Sequence, residues 1–367
     1  MYDIGKSKRA EKAFALDDVA IVPSKRTRDI DDVDLTWKID AVTLDFPLVA
    51  APMDSVMSPQ TVIRMGQLGG LGVLNCEGLW TRYEDPTPVF TALAAIEDPL
   101  AATKKLQEVY AEPIKHELVT SRLEQIRAAG VPFAGSVSPK NARDLAEVIV
   151  KSGVDFLVIR GTTVSAEHVS TSTTPLDLKQ FIHTLDAPVL VGGCANYHTA
   201  LHLMRAGAAG VLVGFGGGAR RATRNVLGIE VPMATAISDV AAARRDYLDE
   251  SGGRYVGVIA DGSLAGSGDI AKALACGADA AMVGVPLARA IEAPGQGYHW
   301  GPEAWHPTLS RGLRAHFEPS GTLEEILVGP SSVADGSMNL VEALRRTLAS
   351  TGYTDVKSFQ RAELVIV

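Results

Sequence analysis

The stretch Gly214-Phe-Gly-Gly-Gly-Ala-Arg-Arg-Ala-Thr-Arg-Asn-Val-Leu-Gly228 follows the apolar run Gly210-Val-Leu-Val213. A glycine-dense turn leaving a strand exposes backbone N–H groups where an anion such as phosphate could sit. Arg220, Arg221 and Arg224 in the same loop could hold that anion with paired charge-assisted bonds, the alternative being solvated loop charge. Asp261 directly follows Val258-Ile-Ala260. A carboxylate there could accept from both hydroxyls of a ribose diol, or cap the following helix. Gly262-Ser263 and Gly284 follow two further apolar runs. Glycine turns that coincide in neighbouring loops imply an organic phosphate more than tight turns alone. Cys76, Cys194 and Cys276 lie far apart in the chain, without the spacing of a zinc site or a disulfide framework. Cys76 and Cys194 each close an apolar run, so either could be a nucleophile or a small buried hydrophobe. Cys276 reads as structural.

The elements that must position these groups repeat along the chain. A helix-like segment, a small residue with Gly, then a short β-branched run occur at Leu68–Leu74, Ala129–Phe133, Ser152–Ile159, Ala206–Val213 and Cys276–Val283. Glycine past a helix end takes the left-handed cap, and an apolar run facing both ways marks a strand of a buried parallel sheet. With Pro47–Ala51, Ala187–Val191 and Tyr255–Ala260 there are eight such strands, alternating with amphipathic segments at 139–152, 197–206, 234–250 and 268–276. This predicts an α/β fold of the (β/α)8 TIM barrel type. A doubly wound open sheet is the rival, but it would concentrate its glycine signal after the first strand. In a barrel the residues after each strand share one face, which makes Met53, Cys76, Arg160-Gly161-Thr162, Cys194, Asp261 and Gly284 neighbours. Asp17-Asp18, ahead of Val19–Pro23, reads as a cap or cover for the opposite end of the barrel.

Residues 1–367 read as a single barrel domain, with a helical insertion at 77–128 and a lid-like excursion at 290–335 that is rich in Gly, Pro and His and carries Trp300 and Trp305. With 46% hydrophobic residues, core formation is not limiting. The formal charge of -8 and the absence of a basic stripe argue against nucleic acid as a partner. No apolar run approaches the roughly 18 residues of a membrane span, and the segment MYDIGKSKRAEKAF lacks the apolar core of a signal peptide. The expectation is a cytoplasmic protein with a small-molecule ligand.

Leu16-Asp-Asp-Val-Ala-Ile-Val-Pro23, Ala51-Pro-Met-Asp-Ser-Val56, Leu68-Gly-Gly-Leu-Gly-Val73, Gly210 through Gly218, Ile259-Ala-Asp-Gly262 and Gly277-Ala-Asp-Ala-Ala-Met-Val-Gly284 resemble, in order and over most of the chain, the IMP dehydrogenase/GMP reductase family. The resemblance is nearest to its short IMP dehydrogenase-related branch, because the insertion is too short for the paired CBS module. It implies a barrel, a homotetramer or octamer, that binds a purine nucleoside 5′-monophosphate (IMP, GMP or XMP) with NAD or NADP, and K+ as a monovalent cation. By the same resemblance Met53 lies against the purine and Asp261 takes the ribose hydroxyls. Gly218, Ala219, Arg220, Gly262, Ser263, Val283 and Gly284 surround the nucleotide and its phosphate. Tyr298, Trp300 and Gly301 approach the base, with Tyr298 and Trp300 as stacking candidates. Arg160, Gly161, Thr162, Gly214 and Gly216 face the cofactor, Gly216 and Gly218 offer carbonyls to the cation, and Thr223 matches the loop threonine.

The departures from the family pattern decide the chemistry. The loop cysteine that attacks purine C2 aligns with Arg221, and a guanidinium has no free nucleophilic pair. Two phosphate-side hydroxyls are absent, replaced by Ala219 and Val285. The acidic residue for the cofactor ribose aligns with Arg160, which suits a phosphorylated ribose better than a bare diol. Three functions stay open: a purine nucleotide oxidoreductase acting by a modified route, a non-catalytic purine-nucleotide-binding barrel with a regulatory role, and a phosphate-binding barrel for another reaction.

Overall fold

The computed structural model describes residues 1–162, 164–165, 167–171, 175–215, 222–312 and 314–367. The eight expected strands are present as β1 (Leu48–Ala50), β2 (Gly72–Asn75), β3 (Phe133–Val137), β4 (Phe156–Arg160), β5 (Val189–Cys194), β6 (Gly210–Val213), β7 (Gly257–Asp261) and β8 (Ala280–Val283). Each is parallel to its neighbours in chain order, and β8 pairs with β1 through Ala281↔Leu48 to Val283↔Ala50. A parallel bridge between Val49 and Leu71 joins β1 to the β2 segment and closes the ring. The open doubly wound sheet is thereby excluded. Nearly every strand residue is buried, as continuous Val, Ile, Leu and Ala runs require of strands with side chains inside the barrel and under the helices.

The outer ring contains α1 (Pro59–Gln67) after β1, α4 (His116–Arg127) before β3, α5 (Ala142–Lys151), α6 (Leu178–His183), α7 (Tyr197–Arg205), α9 (Met233–Glu250) and α10 (Ser267–Ala275). The short α8 (Ala222–Leu227) precedes α9, and the single-turn α11 (Val285–Ala288) follows β8. Helix starts are fixed by side-chain oxygens: Ser58, Asp177 and Asn196 accept from the N–H groups of Thr61, Gln180 and Thr199. Below β7, Asp279 accepts from Arg244 (2.6 Å), the Val258 N–H (2.8 Å) and the Tyr255 hydroxyl (2.5 Å), a fully partnered charge cluster at the barrel's lower end. No helix of the described residues is long and apolar enough to cross a membrane.

The segment between β2 and β3 does two things. Helix α4 packs between α1 and α5 in the ring, whereas α2 (Thr87–Ala94) and α3 (Pro99–Val109) join residues 298–305 in a second apolar cluster. That cluster contains Phe90, Tyr110 and Trp300, with Trp305 stacked on Tyr110 at 4.4 Å between ring centroids. It is tied to the barrel through Asp54, whose Oδ2 accepts from the Tyr110 hydroxyl (2.5 Å) and the Leu79 N–H (3.1 Å), while the Trp300 indole donates to the Tyr110 oxygen (3.0 Å). Gly78 closes over the carboxylate, where a Cβ would collide with it.

Asp54 is fully buried and its Oδ1 has no partner among the described residues. Burial pushes its carboxyl up to about 6, against the bonds from Tyr110 and Leu79 that favour the anion. The folded protein therefore holds this proton more tightly than the unfolded chain does, so the stability Asp54 confers is present in acid and lost as pH rises through about 6. Asp54→Asn is expected to gain about 2 kcal/mol on the wild type between pH 4.5 and 7.5, read from urea unfolding at the two pH values. Parallel pH profiles would contradict this account.

Candidate active site

A cavity of about 400 Å³ opens at the C-terminal ends of the strands, and its walls come from segments far apart in the sequence. The turn after β1 contributes Met53, β4 ends on Arg160, β7 ends on Asp261 followed by Gly262 and Ser263, and β8 leads to Met282 and Gly284. Gly214, at φ +110°, lies so close to β7 that a Cβ there would run into the Asp261 carbonyl oxygen. This lets β6 and β7 leave the barrel side by side. Gly262 (φ +121°) and Ser263 (φ +57°) turn the chain over the mouth, and positive φ is uncommon for a serine.

The strongest interaction in this mouth joins two residues expected to bind different ligands. Arg160 donates from Nε to Asp261 Oδ2 at 2.8 Å and from Nη2 to Oδ1 at 3.3 Å. Both side chains are nearly buried, at 11% and 6% exposure. Burial alone would lower the Arg160 guanidinium, but the Asp261 and Glu303 carboxylates hold it above its ordinary value. Of the other acidic residues on the cavity, Glu230 faces Arg224 (3.2 Å) and Asp269 faces Lys272 (3.3 Å).

Asp17 also lines this cavity, together with Ala15 and Leu16. The expectation that Asp17-Asp18 covers the opposite end of the barrel is thus corrected. The following strand Val19–Ile21 pairs with Leu364–Ile366 near the C-terminus, and this pairing carries the N-terminal segment up to the mouth.

Other expected site residues lie away from the cavity lining. Val283 is fully buried in β8, and the cavity is lined instead by Met282, the preceding residue, as strand alternation dictates. Trp300, expected to offer a stacking face, is buried within the second apolar cluster. Tyr298 is covered by the Arg314 guanidinium at 3.7 Å from its ring centre. Gly301 stands near Met53, whose Cε would be 3.6 Å from a Cβ at that glycine. Gly161 exchanges backbone hydrogen bonds with Gly192 and Gly193, and Thr162 accepts from Arg311 (2.8 Å). Thr223, in the first turn of α8, is buried, and its hydroxyl has no partner among the described residues. Gly216, Gly218, Ala219, Arg220 and Arg221 lie outside the described residues.

Neither displaced-thiol candidate reaches the cavity. Cys76 donates weakly to the Leu74 carbonyl and packs beneath Gly135, while Cys194 points to the Leu212 carbonyl. Burial pushes the Cys194 thiol up to about 12 and raises Cys76 as well, the reverse of what a nucleophilic cysteine needs. Cys276 is buried too, at the C-terminal cap of α10.

The sequence reading missed His299, which lies between the two aromatic residues singled out and does line the cavity. The signal available was alternation: in the two-residue strand Tyr298–His299, paired with Ala315–His316, neighbouring side chains face opposite ways.

Residues 13–304 match the family model described as the IMP dehydrogenase / GMP reductase domain. The chain belongs to the IMP dehydrogenase/GMP reductase family. It is 49% identical to an uncharacterized oxidoreductase of Mycolicibacterium smegmatis and to another of Mycobacterium tuberculosis, each over the full length of both chains. It is 27% identical to the inosine-5′-monophosphate dehydrogenase of Methanocaldococcus jannaschii, covering 78% of this chain and 74% of that one. A solved IMP dehydrogenase/GMP reductase-like protein from Corynebacterium glutamicum superposes with a TM-score of 0.95 at 49% identity, covering 100% of this chain and 97% of the other.

The family uses a nicotinamide cofactor, and the residues expected to hold its ribose do not fit that group here. At the end of β4 a diol needs an acceptor, whereas Arg160 offers only donors, two of which are committed to Asp261. The same commitment leaves Arg160 poorly placed for a phosphorylated ribose.

Arg160→Met would leave the nearly buried Asp261 carboxylate without its charge partner. Its expected cost is about 3–5 kcal/mol of unfolding free energy, and combining it with Asp261→Leu is expected to recover part of that loss. Urea denaturation of the two single variants and the double variant measures this; losses that merely add would show that the pair is not coupled.

Proposed function

We propose that the chain acts on a purine nucleoside 5′-monophosphate, IMP, GMP or XMP, as an oxidoreductase of its family that does not follow the covalent thiol route. One observation carries the reading: Met53, Asp261, Gly262, Ser263 and Gly284, five positions tied by resemblance to base, ribose and phosphate, line a single cavity at the strand ends. The Asp261 carboxylate has about four lone-pair sites, of which Arg160 takes two. The remaining two suit the paired hydroxyls of a ribose, and the bound guanidinium keeps the carboxylate correctly turned. With Arg221 at the nucleophile position and both candidate thiols buried away from the cavity, covalent addition to purine C2 has no thiolate to perform it. Arg221 is assigned instead to the nucleotide phosphate, as a charge-assisted donor. NAD or NADP remains the co-reactant of the oxidoreductase reading. K+ at Gly216 and Gly218 is part of the same proposal.

A second reading, a barrel that binds purine nucleotide without turnover, is favoured by the Arg160–Asp261 pair standing where a cofactor ribose would need an acceptor. Nicotinamide absorbance with IMP and NAD, or with GMP and NADPH, separates the two. Turnover that survives both Cys76→Ser and Cys194→Ser is the expected result for the oxidoreductase. Binding of IMP without any absorbance change selects the second reading. Calorimetry with IMP, GMP and XMP against unrelated sugar phosphates tests the nucleotide itself, and Arg221→Ala is expected to weaken mononucleotide binding about tenfold or more. Unchanged affinity would remove Arg221 from the site.

A further inference from the structure

His299 is 3% exposed and yet lines the cavity, on the two-residue strand that pairs with Ala315–His316. Its Nδ1 lies 3.2 Å from the Ser55 hydroxyl oxygen. That oxygen already accepts the Trp300 backbone N–H at 3.3 Å, so its single hydrogen has two acceptors to choose from, His299 Nδ1 and the Trp300 carbonyl at 3.4 Å. Nδ1 as the acceptor, with the ring proton on Nε2, is the tautomer that the proposal below takes. Among the described residues the ring's hydrogen bond is the Nδ1–Ser55 contact, and none is formed by Nε2. The Cε1–Nε2 edge borders Gly284, where a Cβ would lie 3.5 Å and 3.7 Å from these two atoms.

A nearly buried donor that the protein leaves unmatched, on the wall of a cavity, is matched by what enters the cavity. We propose that His299 is a ligand-binding residue whose Nε2–H donates to a phosphate oxygen of the bound nucleoside 5′-monophosphate. The inference rests on the nucleotide reading above and adds to it a further side-chain donor to the phosphate. The family's two phosphate-side hydroxyls are replaced by Ala219 and Val285 in this chain, and a histidine N–H would join Ser263 and Arg221 as a side-chain donor to the phosphate. His299 comes from the excursion after β8 and reaches the same end beside Gly284. Burial, with Arg160 nearby, pulls its imidazole down to about 4, so the ring enters the site neutral and contributes a directed N–H in place of a hydroxyl.

The test is calorimetric titration of IMP and of inosine, which lacks the phosphate, into the wild type, His299→Phe and His299→Gln. The wild type is expected to prefer IMP. His299→Phe is expected to lose about tenfold in IMP affinity with inosine affinity nearly unchanged, and His299→Gln, which keeps an N–H donor, to recover most of it. If the Phe variant does not fold, as judged by thermal unfolding, His299→Leu replaces it. Equal losses for IMP and inosine, or no loss for either, would overturn the role of His299 while leaving nucleotide binding intact. A wild type that binds IMP no better than inosine would overturn the nucleotide reading and this inference with it.

Discussion

The ion pair between Arg160 and Asp261 links the end of β4 to the end of β7 across the barrel mouth, at 2.8 Å and with both side chains nearly out of water. Desolvating two charges is expensive and is repaid only when the geometry is good and the remaining donors and acceptors find partners. Here the contact is two-pronged, which fixes the rotamers of both residues. Whatever enters the cavity meets a carboxylate already held from one side. The site therefore differs from one built around two free acids, one for each ribose of a nucleotide and a dinucleotide. The arginine at the end of β4 stands as a brace for the Asp261 carboxylate.

A second apolar layer, the roof beside the cavity, is assembled from separate parts of the chain. Helices α2 and α3 and residues 298–305 share one aromatic cluster, and the Trp300–Tyr110–Asp54 relay anchors that cluster to the turn after β1. Asp54 and Ser55 are adjacent, and they serve different layers: Asp54 holds the insertion, and Ser55 orients the His299 ring. The turn after the first strand thus couples the roof to the cavity wall. Arg314 strengthens the arrangement by reaching the carbonyls of Leu93 and Ile96 while lying over Tyr298.

The barrel was legible because five of its eight strands carry the same local grammar, a glycine cap followed by an apolar run that faces two ways, as at Ser152-Gly153 before β4 and Cys276-Gly277 before β8. The rule that site residues follow barrel strands then brought Met53, Arg160, Asp261, Gly262, Ser263 and Gly284 to one cavity. It does not report which of them touch. Arg160 and Asp261 are 101 residues apart, and their pairing depends on side-chain direction across the mouth. Asp17 escaped because it precedes the first barrel strand and reaches the mouth only through a strand pairing with the far end of the chain. In the excursion at 290–335, aromatic residue type drew attention to Trp300. Packing under the insertion fills that position with core, and the two-residue strand turns His299 inward instead.

The central claim is that a nucleoside 5′-phosphate docks across the mouth of this barrel over the Arg160–Asp261 brace. Diffraction from crystals of the chain soaked with IMP tests it most directly. The account predicts ribose hydroxyls within hydrogen-bond distance of Asp261 while Arg160 stays bound to it, with the phosphate against Gly262, Ser263 and Gly284. Nucleotide density elsewhere on the molecule, or a mouth that stays empty at saturating IMP, would contradict it.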